Sequence, residues 1–193
     1  MTFILISGKT GVGKTHVCKK VRDLLDLNST FAPLGRQPSQ NGNGGDFIAH
    51  YEKGGKHIVL NSPSDNNGCM IDLCRFLDGL AKKEVRPDII ITTIRETDVH
   101  HYQMSRMLAV LEAAANNTQN LVAHFNNSIV PNALSNQAFT PTALNNHAFL
   151  LHLEKQQVSG SDEEQAKALA LYWDENADIV KCMLDFALAR LVK

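Results

Sequence analysis

Residues 8–15 form a glycine-rich segment whose spacing suits the binding of a polyphosphate. They read Gly8-Lys9-Thr10-Gly11-Val12-Gly13-Lys14-Thr15 and fit the pattern G-x-x-x-x-G-K-[ST] at every position. Glycines let the backbone turn tightly and bring its N–H groups close to phosphate oxygens. In such a segment Lys14 reaches the β- and γ-phosphates, and the Thr15 hydroxyl holds Mg²⁺. This segment, called the glycine loop below, predicts a site for a nucleoside triphosphate.

The residues on either side of the glycine loop predict the strand and the helix that this chemistry requires. The apolar run at 2–7 predicts a buried strand, and residues 14–27 carry apolar side chains at helical spacing. The N-terminus of that helix adds its partial positive charge to the phosphate site. We therefore expect the whole loop, together with His16 in the first helical turn, to contact the nucleotide.

Further along the chain, strand-like and helix-like segments alternate. Strands are predicted at residues 56–60, 88–94 and 120–126, and helices at 70–80, 98–115, 161–173 and 175–192. This alternation is typical of βαβ units. It predicts an α/β fold of the P-loop NTPase kind, with a mostly parallel central sheet and helices on both faces.

Polar segments follow the predicted strands, and this places the site at one edge of the sheet. Ligands of such sheets bind beyond the carboxyl ends of the strands. We expect the glycine loop, residues 61–67, residues 92–95 and Asn126 to gather there. Residues 29–45, rich in glycine, asparagine, glutamine and proline, predict a long irregular loop. Residues 131–140 are echoed by 141–150, which we interpret as two similar turns inserted beside the site.

Length and charge narrow the class of protein. The 193 residues predict a single nucleotide-binding domain spanning residues 1–193. The net charge of −1 does not indicate nucleic acid or a membrane as a partner. The N-terminal apolar run is too short for a secretory signal, and no segment has the length of a membrane span. We therefore expect a cytoplasmic protein.

The second lysine of the loop, Lys9, carries a resemblance to a known family. The run from Lys9 to Thr15 resembles the deviant Walker A motif of the ParA/MinD ATPases, usually K-G-G-x-G-K-[ST], although Thr10 stands where that family has glycine. The resemblance implies that Lys9 reaches across a dimer to the phosphates of the partner's ATP and neutralises charge in the transition state. The alternative is an ordinary loop lysine that faces solvent.

Coarser similarities to the same family extend to about residue 130. Residues 58–64 resemble its strand ending in D-[TS]-P, but Asn61 replaces the aspartate, and Asp65 is the candidate to compensate as a Mg²⁺ ligand. Residues 34–40 resemble its D-x-D-P-Q segment without either acid, which leaves Gln37 or Gln40 to orient a water. Phe125-Asn126 is similar to the strand whose terminal asparagine reads adenine.

The resemblance implies an ATP-dependent dimerisation switch with Mg²⁺ as cofactor and Lys14 and Lys9 as catalytic residues. Because the acidic residues are missing, hydrolysis is expected to be slow or to depend on a partner. In this family the ATP-bound homodimer is read by an adaptor protein, by DNA or by a membrane surface. The favoured setting is the partition, maintenance or transfer of a plasmid, which follows from family analogy alone.

Two other functions remain open at this stage. The first is a small-molecule kinase of the nucleoside or nucleotide type, whose phosphoryl clamp would come from Arg86, Arg95 and Arg106 and whose carboxylate would come from Glu96 or Asp98. The second is a scaffold that binds a nucleotide without catalysis. Mutation of Lys9 separates the three hypotheses, since only the dimer-type ATPase loses hydrolysis while it keeps binding.

Overall fold

The structure is a computed structural model that describes residues 1–63, 66–95, 103, 106–107, 111, 123–124 and 148–191. Within these ranges the strands are β1 (Thr2–Gly8), β2 (Ala32–Pro38), β3 (Phe47–Lys53), β4 (Lys56–Asn61), β5 (Ile89–Arg95), β6 (Ala123–His124) and β7 (Ala148–His152). The helices are α1 (Lys14–Leu27), α2 (Asn67–Ala81) and α3 (Asp162–Leu191). Arg106, Met107 and Leu111 are also helical.

The seven strands in the described ranges form one sheet, in the order β2-β3-β4-β5-β1-β7-β6. The five strands from β4 to β6 in this order are mutually parallel, whereas β2 and β3 extend one edge as antiparallel strands. The predicted α/β class and the mostly parallel sheet are therefore confirmed. β1 lies inside the sheet, and the chain adds β4 and β5 on one side of it and β6 and β7 on the other.

Helices cover both faces of this sheet because successive side chains of each buried strand point to opposite faces. On one face α1 and α3 pack against Ile4, Ile6, Ile58, Leu60 and Ile91. On the other face α2, Met107 and Leu111 pack against Phe3, Leu5, Val59 and Ile90. Val17, Val21 and Leu25 recur every four residues and are fully buried, which fixes the inner face of α1.

Two predictions about the first third of the chain are wrong or incomplete. Residues 29–45, predicted as an irregular loop, contain strand β2, which is exposed along its whole length. β3 was not predicted at all. β2 forms because it pairs with β3 at the edge of the sheet, where Pro33 and Pro38 are tolerated since an edge strand leaves some N–H groups without a partner strand.

Two predictions near the C-terminus also need correction. The two helices expected at 161–173 and 175–192 are one helix, α3. The residues at the expected break, Asp174 and Glu175, are neither glycine nor proline, so nothing there interrupts the helix. Residues 148–150, interpreted as part of an inserted turn, belong to β7, which pairs directly with β1. The remainder of the repeat, residues 131–147, lies outside the described residues. No helix in the described ranges has both the length and the apolar character that crossing a membrane requires.

Candidate functional site

The candidate site lies where the carboxyl ends of the central parallel strands meet. Gly8 at the end of β1 is in register with Arg95 at the end of β5, and Ser7 is in register with His152 at the end of β7. Because the chain order reverses at β1, this edge has the crevice at which ligands of open α/β sheets bind. The glycine loop leaves β1 at this point and leads into α1.

Two glycines of the loop occupy positions where an added Cβ would collide with neighbouring atoms. A Cβ on Gly8 would lie 2.7 Å from Cγ2 of Val12 and 2.8 Å from the carbonyl oxygen of Leu153. Gly13 precedes α1 with a φ of 94°, in the left-handed region, and a Cβ there would collide with the indole of Trp173. The glycine spacing read from the sequence therefore has a steric cause in the folded chain.

Lys14 is the first residue of α1, and its side chain turns back to the start of the glycine loop. Its side chain is 6% exposed, and Nζ donates hydrogen bonds of 2.8 Å to the carbonyl oxygens of Gly8 and of Lys9. The first turn of α1 contains no acidic residue, so the positive end of the helix dipole is not neutralised locally. A buried ammonium group and a helix N-terminus at the same loop form a site whose charge favours an anion.

The other predicted nucleotide-binding residues of the loop differ in their exposure to solvent. Lys9, Thr10 and Gly11 are exposed, Val12 is buried, Thr15 is half-buried in the first turn of α1, and His16 is exposed. Two further predicted residues, the metal ligand Asp65 and the adenine-reading Asn126, lie outside the described residues. The strand that precedes Asn126, β6, is separated from β1 by β7.

Asn61 ends β4 beside this site and is completely buried. Its Nδ2 donates to Oγ1 of Thr92 at 2.9 Å and to the carbonyl oxygen of Pro63 at 3.2 Å. Its Oδ1 is buried and has no hydrogen-bond partner among the residues that the structure describes. A buried amide oxygen without a partner is costly, about 1–3 kcal/mol, so this atom is suited to a water or ligand that the protein atoms do not supply.

Asp46 is a buried carboxylate near the loop that the sequence analysis missed. It is 3% exposed and accepts hydrogen bonds from the backbone N–H of Asn43 at 2.8 Å and from Oγ of Ser62 at 3.3 Å. Burial, followed by the negative charge of Asp46, raises the pKa of the Cys18 thiol on α1, and the charge of Lys14 opposes this. The signal in the sequence was Gly44-Gly45-Asp46 directly before an apolar run, the form of a turn that enters a strand.

The segment between β2 and β3, residues 39–46, which carries Asp46, is anchored by a second buried acid, Asp72 of α2. Its Oδ2 accepts from Oγ of Ser39 at 2.7 Å and from the backbone N–H of Asn41 at 2.9 Å, and its Oδ1 accepts from Nδ2 of Asn41 at 2.8 Å. Burial acts to raise the pKa of Asp72, but these hydrogen bonds outweigh it and lower the pKa. Asp72 is therefore a structural residue that holds this segment in place.

Two of the predicted residues, Arg86 and Gln37, do not reach the site. Arg86, predicted to form a phosphoryl clamp with Arg95, precedes β5 and therefore lies at the opposite end of this strand from Arg95. Gln37 belongs to β2, which is four strand positions, about 19 Å, from β1. Arg106 is exposed, while Glu96 and Asp98 lie outside the described residues.

Comparison with known proteins assigns no family to this chain. No protein-family model, no curated protein and no solved structure matches it. The argument for function therefore depends on the residues and the geometry described above.

Proposed function

We propose that the glycine loop binds the phosphates of a nucleoside triphosphate, ATP in the first instance. The single observation that carries the proposal is the position of Lys14, whose buried ammonium group lies within hydrogen-bond distance of two loop carbonyls at the N-terminus of α1. A phosphate that enters the loop would meet this charge, the helix dipole and the backbone N–H groups together. The location at the carboxyl end of the central strand supports the same proposal.

The residues present fit a magnesium ion that accompanies the phosphates. The Thr15 hydroxyl is in the first turn of α1, and the buried Oδ1 of Asn61, at the end of β4, accepts no hydrogen bond from the described part of the chain. Mg²⁺ is usually held by few protein ligands together with phosphate oxygens and waters, so a hydroxyl and an amide oxygen suffice as protein ligands. The ion would neutralise charge on the β- and γ-phosphates.

The same residues favour slow turnover or turnover that depends on a partner. Asn61 is neutral where a carboxylate would hold the ion more firmly, and Asp46 is already bound by Asn43 and Ser62. Lys9 is exposed on the outer side of the loop, which supports the proposal that it acts on a nucleotide held by a second copy of the chain. We therefore propose a ParA/MinD-like ATPase that dimerises with ATP and acts with an adaptor protein, DNA or a membrane surface in the partition, maintenance or transfer of a plasmid.

The two alternatives are less well supported. A kinase needs arginines around the transferred phosphoryl group, and of Arg86 and Arg95, the two candidates at the ends of β5, just Arg95 is at the end beside the loop. A non-catalytic scaffold is consistent with the neutral Asn61, and it is distinguished from the ATPase by the complete absence of turnover.

Light scattering coupled to size exclusion tests the proposal, with no nucleotide, with ADP and with Mg²⁺-ATP. We expect a dimer with Mg²⁺-ATP alone. Lys14→Ala should abolish nucleotide binding measured by calorimetry, whereas Lys9→Ala should keep binding and lose dimerisation and hydrolysis. Lys167→Ala is the matched control, because this lysine is exposed on α3 and pairs only with Glu163 in the described structure. Wild-type protein that binds no nucleotide would disprove the proposal, and a nucleotide-bound monomer would favour the kinase.

A further inference from the structure

A stacked aromatic pair lies directly beside the glycine loop. The rings of His16 and Trp173 are parallel within 18°, and their centroids are 4.0 Å apart. The indole edge of Trp173 rests on the backbone of Gly13, where an added Cβ would collide with it. The phosphate chemistry proposed above does not use this pair.

The position of Trp173 is fixed by its neighbours along α3. The Tyr172 hydroxyl accepts from the backbone N–H of Glu154 at 3.2 Å and donates to its carbonyl oxygen at 3.1 Å, which ties α3 to the segment after β7. Asp174 pairs with Lys20 of α1 at 2.8 Å. Three consecutive residues of α3 therefore contact the end of β7, the glycine loop and α1, and the indole is held between these contacts.

His16 is oriented towards the place where a nucleotide would continue beyond its phosphates. It is the third residue of α1, and helical side chains lean towards the N-terminus of their helix, here towards the loop. His16 is exposed although the indole covers one face of its ring, so the imidazole is accessible from the other side. Burial, followed by the charge of Lys19, lowers the pKa of His16, which favours the neutral form of the ring.

On the basis of the proposed nucleotide site, we propose that His16, backed by Trp173, is the platform on which the aromatic base of the bound nucleotide stacks. Stacking on an aromatic side chain tolerates every base, because each base has a π-face. The platform therefore gives affinity for the nucleoside part of the ligand without selecting one base. It also assigns the base to the side of the loop formed by α1, α3 and the end of β7.

Calorimetric titration with Mg²⁺-ATP and with Mg²⁺-tripolyphosphate tests this inference, because the two ligands share the phosphates and differ in the nucleoside. We expect the wild-type protein to bind ATP about 5- to 100-fold more tightly. His16→Ala should remove this preference and leave the affinity for tripolyphosphate unchanged, whereas His16→Phe should retain the preference. Phe186→Ala is the matched control, since this exposed aromatic residue is also on α3, about 20 Å further along the helix.

The fluorescence of Trp173 gives a second readout, because it is the only tryptophan in the chain. ATP should change its emission in the wild-type protein more than tripolyphosphate does. If both ligands bind with equal affinity, or if His16→Ala keeps the preference for ATP, the platform is overturned while the phosphate site stands. If neither ligand binds, the proposed function and the platform both fail.

Discussion

Replacing Gly13 with alanine should destabilise the protein through two separable effects. The backbone there has a φ of 94°, and an L-residue in the left-handed region costs about 1–2 kcal/mol. The added methyl group would also displace the indole of Trp173, and overpacking of this kind costs about 1–3 kcal/mol. We therefore expect Gly13→Ala to lower the free energy of unfolding by about 2–5 kcal/mol, a large part of the stability of an ordinary domain.

A matched glycine separates the two effects. Gly11 has a φ of 80°, but a Cβ there would meet nothing within 4 Å, so Gly11→Ala should cost only the backbone contribution of about 1–2 kcal/mol. In a Trp173→Ala background, Gly13→Ala should cost the same smaller amount, which gives a coupling energy of about 1–3 kcal/mol between the two sites. Urea unfolding followed by circular dichroism measures all of these variants. Equal costs at Gly11 and Gly13, with no coupling to Trp173, would refute the contact.

Two further predictions concern pH. The folded-state pKa of Asp72 lies below its ordinary value of 3.8, so its contribution to stability is present above that value and is lost as the pH falls through the folded pKa. Asp72→Asn should lower the free energy of unfolding by about 2 kcal/mol at pH 7. It should also weaken the fall of the urea unfolding midpoint between pH 7 and pH 3, and an unchanged fall would contradict the assignment. Burial, followed by His57, lowers the pKa of His50, whose ring nitrogen lies 3.1 Å from that of His57. The neutral form of His50 is favoured in the folded state, so its contribution to stability should be present above pH 6.5 and be lost as the pH falls below this value. His50→Gln should remove this pH dependence in the same urea unfolding experiments.

The parts of the fold that the sequence predicts are those with a local cause. β1, β4 and β5 each contain a short run of apolar or β-branched residues, and α1 has apolar residues every four positions, so each element can be predicted from its own local pattern. The glycine loop is equally local, since its glycines and Lys14 act on neighbouring backbone. These elements could be predicted without knowing the strand order.

The missed features depend on partners that are distant in the sequence. β2 is a strand only because β3 lies beside it, and its residues Ala32–Pro38 have neither alternation nor β-branched side chains. The contact of Trp173 with Gly13 depends on the position of α3 relative to the loop, and the burial of Asp46 depends on Ser62, which directly follows β4. Separations of this kind carry no periodic signal, so composition and spacing could not reveal them.

The arrangement of charge around the loop favours binding over turnover. Lys14 and the N-terminus of α1 supply positive charge to an incoming phosphate, and both are in place before any ligand arrives. Asn61, the last residue of β4, is neutral and so does not supply the negative charge that would hold Mg²⁺ firmly. Asp46 is charged, but its oxygens already accept hydrogen bonds from Asn43 and Ser62, and moving it would break the turn that enters β3. Under the proposed function, Lys9, which is exposed on the same loop, would act on a different charge: its ammonium group would neutralise the transferred phosphoryl group of a nucleotide held by a second copy of the chain.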